Sequence, residues 1–430
     1  MPINSSDTSK RQPLLGAANT NRPSNPESES SRFKKFRKLC IPFLIIAIVC
    51  APIAYILSYY ANDYLFPYQQ CQKRVIGYYT YWEENTMSVS QLNKLSHIIF
   101  MFAFIQDDGS LRINIGNSTE HEKRIYGMKE TISMAKTSGL KVMIAIGGHE
   151  TSLMFAPTLK DAGKKKTLLA SIIHLFDEYD IDGVEVFWMF PRKNDIVIHA
   201  KFIKEVRQSL TKLKNEKGKT EDYVLSTISS RFTHQRENIY YNEIMKYVDF
   251  VNVLTYDWRV LDDFVGPVSP LYGGKRDSID GAMKNFTCST ENPSKLNMVV
   301  PLFGVYWSNI SFPLDDKSNR MTSRNDGGVR SYAFFFGKDE TLGSWKNSEV
   351  LWHNMSRTPY MWKEKNRAFA SFENAQSLQE KADYVREKNL GGITIYVLEQ
   401  DHTNTLIDAI TSVDLCSGDK SNTVKYNCYG

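Results

Sequence analysis

The sequence has no excess of any residue class that would mark an unusual kind of protein. Charged residues make up 23% of the 430 positions and hydrophobic residues 42%, which are ordinary values for a globular protein. These proportions exclude a chain that is disordered throughout, a collagen-like fibre and a membrane protein with many spans. The length exceeds that of one average domain and suffices for a large buried core.

Net charge is missing from almost the whole chain. Residues 1–38 contain eight lysines and arginines and three acidic residues, so this segment carries all of the net charge of +5. The remaining residues hold 45 basic and 45 acidic side chains. A folded part with balanced charge argues against nucleic acid as a partner.

Cysteine is scarce, with six residues in the chain. Cys40 and Cys50 lie in a long apolar run, and the other four follow it at positions 71, 288, 416 and 428. Four cysteines allow three sets of two disulfides, and the sequence does not choose among them. We expect a bond between Cys416 and Cys428, because it closes a short terminal loop.

The one long apolar run covers residues 39–61 and contains no charged residue. At about 1.5 Å per residue, a helix of this length crosses the roughly 30 Å hydrocarbon core of a bilayer. Basic residues precede the run and none follows it before residue 73. The positive-inside rule then predicts a single-pass type II membrane protein whose C-terminal part is luminal or extracellular. A buried core helix and a cleaved signal peptide are the alternatives.

Four Asn-x-Ser/Thr sequons follow the apolar run. Glycosylation at such sites occurs only on the luminal side, so they fit the predicted orientation. The four positions are Asn117, Asn285, Asn309 and Asn354.

From residue 75 onward, short runs of β-branched and aromatic residues alternate with helical patterns. Eight such runs separated by helices predict a parallel α/β sheet, and the number eight favours a closed (β/α)8 TIM barrel. The runs are Val75–Trp82, His97–Ile105, Lys141–Gly147, Gly183–Met189, Val224–Ser229, Phe250–Tyr256, Met298–Trp307 and Ile393–Leu398.

The predicted organisation has five segments and one insertion. The gap between the seventh and eighth runs is the longest, which predicts a small α+β insertion at about residues 308–372. The segments are a disordered basic tail (1–38), a transmembrane helix (39–61), a linker (62–72), the barrel (73–415) and a C-terminal extension (416–430).

The fourth predicted strand is where we expect the chemistry, because catalytic groups of a (β/α)8 barrel lie at the C-terminal ends of its strands. Residues 182–191 read Asp-Gly-Val-Glu-Val-Phe-Trp-Met-Phe-Pro. Strand alternation directs Glu185, Phe187 and Met189 to one face and the residues between them to the other.

Four further segments accompany this strand: Gly-Tyr-Tyr-Thr at 77–80, Lys-Val-Met-Ile-Ala-Ile-Gly-Gly at 141–148, Val-Asp-Phe-Val-Asn-Val-Leu-Thr-Tyr-Asp at 248–257 and Gly-Gly-Ile-Thr-Ile-Tyr at 391–396. In order and spacing they fit the eight predicted strands. Over about residues 73–413 the chain resembles the chitinases and chitinase-like proteins of glycoside hydrolase family 18.

This resemblance implies a reaction centre with the pattern Asp-Gly-x-Asp-x-Asp-Trp-Glu on the fourth strand. In the family, the final Glu protonates the glycosidic oxygen, and the Asp two residues before it orients the substrate's N-acetyl group, which acts as the nucleophile. The corresponding residues here are Met189 and Phe187, and only Asp182 and Glu185 remain of the four carboxylates.

A thioether cannot donate a proton, and a phenyl ring cannot hold an acetamido N–H. We therefore expect no hydrolysis by the family mechanism. Glu185 should be neutral, or paired with Tyr256 or a donor on a neighbouring strand.

Sugar binding is expected at aromatic faces, which stack against pyranose rings. By the resemblance, Asp257 would help to bind the N-acetyl group, and Tyr396 stands where the family usually has Trp. We expect no cofactor and no metal, because no second ligand accompanies His149 at a suitable spacing. The candidate ligand-binding residues are Tyr79, Trp82, Phe102, Tyr256, Asp257, Trp307 and Tyr396.

The sequence thus predicts a chitinase-like protein without hydrolytic activity that binds chitin-type or other N-acetylglucosamine-containing glycans at a membrane surface. The alternative is a protein-interaction or signalling barrel with a filled cleft, which Phe187, Met189, Val305 and Tyr396 suggest. The sequence does not identify a protein partner.

Overall fold

The chain divides into residues 1–70 and residues 71–430, and the computed structural model describes only part of the second unit. The described residues are 73–80, 87–113, 118–189, 191–230, 238–256, 265–273, 278–310, 313–314, 326–331, 345, 348–365, 367–401, 403–418 and 421–428.

Eight parallel strands close into a barrel, which confirms the predicted (β/α)8 fold. Neighbouring strands pair in the order β1-β14-β8-β7-β6-β5-β4-β2, and β2 pairs with β1 to complete the circle. A short strand, β3 (Leu111–Arg112), pairs antiparallel with the end of β2. The barrel strands are β1 (Arg74–Tyr79), β2 (His97–Ile105), β4 (Lys141–Gly147), β5 (Gly183–Phe187), β6 (Val224–Ser230), β7 (Phe250–Leu254), β8 (Leu296–Pro301) and β14 (Gly392–Tyr396).

Helices connect these strands. The helix Ala162–Tyr179 shows why they form: the Asp161 carboxylate accepts the Lys164 N–H at the N-terminus, and residues at helical spacing form one buried face. The described helices are α1 (Val89–Leu92), α2 (Ser118–Thr137), α3 (Phe155–Lys160), α4 (Ala162–Tyr179), α5 (Ile196–Glu216), α6 (Asn238–Ile244), α7 (Ile279–Thr290), α8 (Ala375–Glu387) and α9 (Thr405–Thr411).

Alternation along each strand produces two apolar layers. On β5, Val184 and Val186 pack in the layer between the barrel and its helices. Glu185 and Phe187 point into the barrel, where Phe187 belongs to the interior cluster. The two faces of the fourth barrel strand separate as the alternation predicts.

A second sheet lies between β8 and β14 in chain order. Its five antiparallel strands pair in the order β10-β9-β13-β12-β11. It begins at Phe303, before the predicted boundary at 308, because the predicted run Met298–Trp307 splits at Leu302 into β8 of the barrel and β9 of this sheet. The strands are β9 (Phe303–Ser308), β10 (Asp326–Ser331), β11 (Leu351–His353), β12 (Thr358–Lys363) and β13 (Ala368–Ser371).

Among the residues that the structure describes, no helix is both long and apolar enough to cross a membrane. This finding contradicts the expected single-pass type II membrane protein. The apolar run at 39–61 on which that expectation rested lies outside the described residues, as do the predicted tail (1–38) and linker (62–72).

The predicted disulfide between Cys416 and Cys428 is wrong. Cys428 is bonded to Cys288 on α7, with 5.4 Å between their Cα atoms, and Cys416 is also disulfide-bonded. The C-terminal segment packs against α8, where the Tyr426 hydroxyl lies 2.7 Å from that of Tyr384. Packing of this segment, rather than closeness in sequence, brings the two sulfurs together.

Candidate functional site

Glu185 lies in the barrel interior and is fully buried. Its Oε1 accepts a hydrogen bond from the Tyr78 hydroxyl (2.6 Å), and its Oε2 accepts from Ser226 Oγ (2.9 Å) and Asn252 Nδ2 (2.7 Å). These donors come from β1, β6 and β7. The expectation that Glu185 is neutral or paired with a donor on a neighbouring strand agrees with this arrangement.

Burial raises the pKa of the Glu185 carboxyl to about 7, against the opposing effect of its three hydrogen bonds. Desolvation disfavours the charged form, whereas donors to a carboxylate favour it. The Glu185 carboxyl group therefore changes between its protonated and ionised forms near neutral pH.

Further hydrogen bonds connect this carboxyl group with the other end of the barrel. Asn252 Oδ1 accepts from Asn297 Nδ2 (3.0 Å) and from the Thr394 hydroxyl (2.9 Å). Asn297 Oδ1 in turn accepts from Arg74 Nε (3.0 Å). A polar column thus runs through the interior from the Arg74 guanidinium to Glu185.

A row of aromatic rings lies at the C-terminal ends of the barrel strands, which we call the mouth. Successive ring centroids are 4.9–6.0 Å apart, mostly edge to face. The Met101–Phe102 and Tyr396–Val397 peptide bonds at this end are cis. This aromatic row consists of Phe102, Phe187, Tyr78, Tyr396, Tyr256 and Phe303.

Phe187 lies between Phe102 and Tyr78 in the aromatic row and is only 2% exposed. Its ring lies 4.9 Å from that of Phe102 and 6.0 Å from that of Tyr78. By the resemblance, this position would carry the carboxylate that orients an N-acetyl group. In this chain the apolar ring of Phe187 occupies that position instead.

Met189 follows the end of β5 and packs against the interior cluster. Its N–H donates to Ser152 Oγ (2.8 Å), and the Ser152 hydroxyl donates to the Gly148 carbonyl (2.8 Å). These two bonds fix the backbone at the end of β5 to the loop after β4. The side chain at this position is a thioether, which has no proton to donate.

The other predicted ligand-binding residues are not all at the mouth. Phe102, Tyr256 and Tyr396 belong to the aromatic row, and Tyr256 and Tyr396 are partly exposed. Trp307 lies in the second sheet, where its ring stacks on Phe369 with 6.0 Å between centroids, and Tyr256 and Tyr396 pack against the apolar cluster that contains both.

Tyr79 points away from the interior and packs against Phe100 in the layer between strands and helices. Its side chain is therefore directed away from the mouth, whereas Tyr78, the residue before it, has the inward orientation on β1. Alternation from Ile76, another interior residue, could have shown this.

Asp182 lies at the start of β5, far from the mouth along the strand. Its Oδ2 accepts the Val142 N–H (3.0 Å), and its Oδ1 lies 3.2 Å from Lys136 Nζ. Asp182 therefore joins β5 to β4 and takes no part in the site. Sequence reasoning missed Ser226 and Asn252, which inward alternation on β6 and β7 could have indicated.

Trp82, Asp257 and Asn117 lie outside the described residues. The other three sequon asparagines, Asn285, Asn309 and Asn354, are exposed. No group of three or more His, Cys, Asp or Glu side chains that could hold a metal ion occurs within the described part of the chain.

The family model "Glycosyl hydrolases family 18" matches residues 74–401. Chitinase A1 of Niallia circulans is 22% identical over 413 residues, which cover 80% of this chain and 59% of that protein. A chitinase-like effector of Moniliophthora perniciosa is 22% identical, and the match covers 78% of this chain and 86% of that protein.

Among solved structures, the family 18 chitinase of Cycas revoluta in complex with (GlcNAc)3 superposes with a TM-score of 0.66. It is 19% identical, and the match covers 79% of this chain and 99% of that one. At this identity the likeness shows a common fold.

Proposed function

We propose that this chain, which belongs to glycosyl hydrolase family 18, is a chitinase-like protein that binds N-acetylglucosamine-containing glycans without cleaving them. One observation is the main support for the proposed absence of hydrolysis. The position of the family's orienting carboxylate holds Phe187, whose ring is enclosed between Phe102 and Tyr78.

The chemistry of the two altered positions supports this proposal. A general acid contributes about 10²–10⁴-fold to the rate of such a reaction, and Met189 has no proton to donate. The interior carboxyl group that remains, Glu185, is fully buried behind the aromatic row. Its oxygens accept three hydrogen bonds from interior side chains.

Two features support glycan binding. Tyr256 and Tyr396 lie side by side at the mouth, with 5.3 Å between ring centroids and 30° between ring planes, and both are partly exposed. Such aromatic surfaces are suited to stacking against sugar rings. The Cycas revoluta chitinase, which shares the fold, was solved in complex with (GlcNAc)3.

Calorimetric titration of the full chain with chito-oligosaccharides tests the binding. We expect a saturable heat, and a roughly tenfold weaker affinity for Tyr256→Ala, which removes one stacking surface. Tyr126→Ala, an exposed tyrosine on α2, serves as the matched control and should bind as the unaltered chain does. Absence of heat at millimolar oligosaccharide would contradict the proposal.

A chromogenic chitobioside tests the absence of hydrolysis separately. We expect no turnover by the unaltered chain above the buffer rate. The double variant Phe187→Asp with Met189→Glu is the informative comparison, because turnover by this variant alone would assign the inactivity to these two side chains. Turnover by the unaltered chain would refute the proposal.

A protein-interaction barrel is the second candidate, and the filled interior favours it. In that case chito-oligosaccharides would give no heat, and a protein partner would bind the full chain with an affinity that substitutions around the mouth reduce.

A further inference from the structure

We propose that glycan binding at the mouth is linked to proton uptake by Glu185, so that the ligand is held more tightly in weakly acidic than in mildly alkaline solution. This inference rests on the proposed binding function and adds a regulation of the same site.

The three groups that donate hydrogen bonds to the Glu185 carboxyl group are all neutral: a phenol, a hydroxyl and an amide. The side chain is fully buried. A buried carboxylate whose bonds come from neutral groups retains a large desolvation penalty, which is why its pKa is raised to about 7. Small changes in its surroundings then change its proton occupancy near neutral pH.

Other titratable or charged groups lie in or near the strands around Glu185, and Tyr78 is the one that hydrogen-bonds its carboxyl group in the described part of the chain. The Arg74 guanidinium on β1 is separated from it by the amides of Asn297 and Asn252. His97 on β2 has its pKa lowered to about 3 by burial, so it is neutral above pH 5. The phenols are those of Tyr78, Tyr256 and Tyr396.

Two of these phenols are also neutral at the relevant pH. Burial raises the pKa of Tyr396 to about 12 and that of Tyr78 well above its usual value. On the two strands that pair with β5, Ala145 of β4 and Ser226 of β6 lie beside Glu185. Among Arg74, His97, Tyr78 and Tyr396, none changes charge between about pH 5 and 8, whereas Glu185 does.

Tyr78 connects the carboxyl group with the binding surface. Its hydroxyl donates to Glu185, and its ring contacts Phe187 at 6.0 Å and Tyr396 at 5.7 Å. A sugar stacked on Tyr396 and Tyr256 displaces water from the space above this layer. The effective dielectric constant around Glu185 falls, which disfavours the carboxylate further.

A ligand that favours protonated Glu185 must, by linkage, be favoured by the proton in return. Both protonation states can be accommodated. The carboxylate accepts from all three donors, and the neutral acid donates from Oε1 to the Tyr78 oxygen while Oε2 continues to accept from Ser226 and Asn252.

Calorimetric titration of the full chain with triacetylchitotriose at pH 5.5, 7.0 and 8.5 tests the linkage. We expect the dissociation constant to rise roughly fivefold from pH 5.5 to 8.5, at the low end of typical coupling. Repeating the titration at pH 7.0 in buffers with different ionisation enthalpies should show uptake of part of a proton on binding. Zero proton uptake and a constant affinity would overturn the inference and leave the binding function standing.

Two variants assign the effect to its group. Glu185→Gln should bind with an affinity that does not depend on pH, because an amide cannot titrate. His149→Gln, which removes an exposed imidazole on the loop after β4, should retain the pH dependence of the unaltered chain. Persistence of the dependence in Glu185→Gln would overturn the inference, and if that variant does not fold, the proton count on the unaltered chain decides. No binding at any pH would refute the proposed function together with the inference.

Discussion

Single residues determine what the barrel interior can do. Glu185 keeps a carboxyl group on β5 because Tyr78, Ser226 and Asn252 supply three donors around it. Two positions further along the same strand, Phe187 fills the interior with hydrocarbon and contacts two other rings. A polar network and an apolar layer therefore lie next to each other on one strand face.

Replacing Glu185 with Gln should lower the free energy of unfolding at pH 5 relative to that at pH 8. The pKa of Glu185 is about 7 in the folded protein and about 4.3 in an unfolded chain, so the folded state binds more protons in between. Its stabilising contribution is complete below about pH 4.3 and is lost as the pH rises through 7, which amounts to about 4 kcal/mol in total and to about 3 kcal/mol between pH 5 and pH 8. Urea unfolding at pH 5 and pH 8 measures the difference.

The matched control for this prediction is Glu122→Gln, at an exposed position on α2. It should leave the difference in unfolding free energy between the two pH values unchanged. Equal pH dependence for Glu185→Gln and the unaltered chain would show that the interior carboxyl group does not titrate as expected.

Phe187→Ala should destabilise the fold by about 3–5 kcal/mol, because it leaves a cavity between Phe102 and Tyr78 in the aromatic row. Phe104→Ala, at a partly buried residue of β2, should lose less than half as much. Urea unfolding at one pH compares the two variants. Similar losses for both would mean that Phe187 is not a central packing residue.

At the level of elements, the junction between the second sheet and the barrel depends on a buried ion pair. Lys381 on α8 and Glu373, just after β13, are both fully buried, with 2.5 Å between Nζ and Oε1. Ser377 Oγ donates to Glu373 Oε2 (2.6 Å), and Ser269 Oγ donates to Glu373 Oε1. The Glu373 carboxylate thus joins the segment 265–273, which contains Ser269, to α8, which contains Ser377 and Lys381.

Lys381→Met should destabilise the protein by about 3–5 kcal/mol, because it leaves the Glu373 charge buried without its cation. The double variant Lys381→Met with Glu373→Gln should recover part of this loss. Arg386→Met, which breaks the partly exposed pair with Asp383, should change the free energy of unfolding by less than about 1 kcal/mol. A loss for Lys381→Met no larger than that for Arg386→Met would contradict the role of the buried pair.

For the whole molecule, buried histidines give the free energy of unfolding a pH dependence opposite in sign to that from Glu185. Burial lowers the pKa of His199 and of His97 to about 3, so both are neutral in the folded protein, whereas in the unfolded chain they take up a proton below about pH 6.5. Their contribution is present above pH 6.5 and is lost as the pH falls towards 3.

His199→Gln should therefore reduce the loss of unfolding free energy as the pH falls below 6.5. Between pH 6.5 and pH 5, the unaltered chain should lose about 2 kcal/mol through His199 alone, and the variant should lack this loss. His174→Gln, at an exposed position on α4, is the control. An acid limb of the same slope in both variants would contradict the prediction.

Much of the fold was predictable, because hydrophobic periodicity is a local property of the chain. Eight alternating runs indicated the barrel, and the alternation on β5 placed Glu185 and Phe187 on the inner face. The run Met298–Trp307 was misleading, since it contains two strands of different sheets. Periodicity does not show with which neighbour a strand pairs.

The site was predictable in part for the same reason. Tyr256 and Tyr396 could be placed at the mouth from their positions near strand ends, whereas the strand parity of Tyr79 directs it outward. The membrane-protein assignment depended on an apolar run outside the described residues, and no described helix supports it.

By itself, the sequence determined the alternation of barrel strands and helices and the inward face of β5, because both follow from residue types at fixed spacing. Only the tertiary structure decided that Cys288 bonds Cys428, that Tyr78, Ser226 and Asn252 surround Glu185, and that the rings at the mouth touch one another. These contacts join residues more than 25 positions apart, and their distances depend on closure of the barrel, which no local pattern encodes.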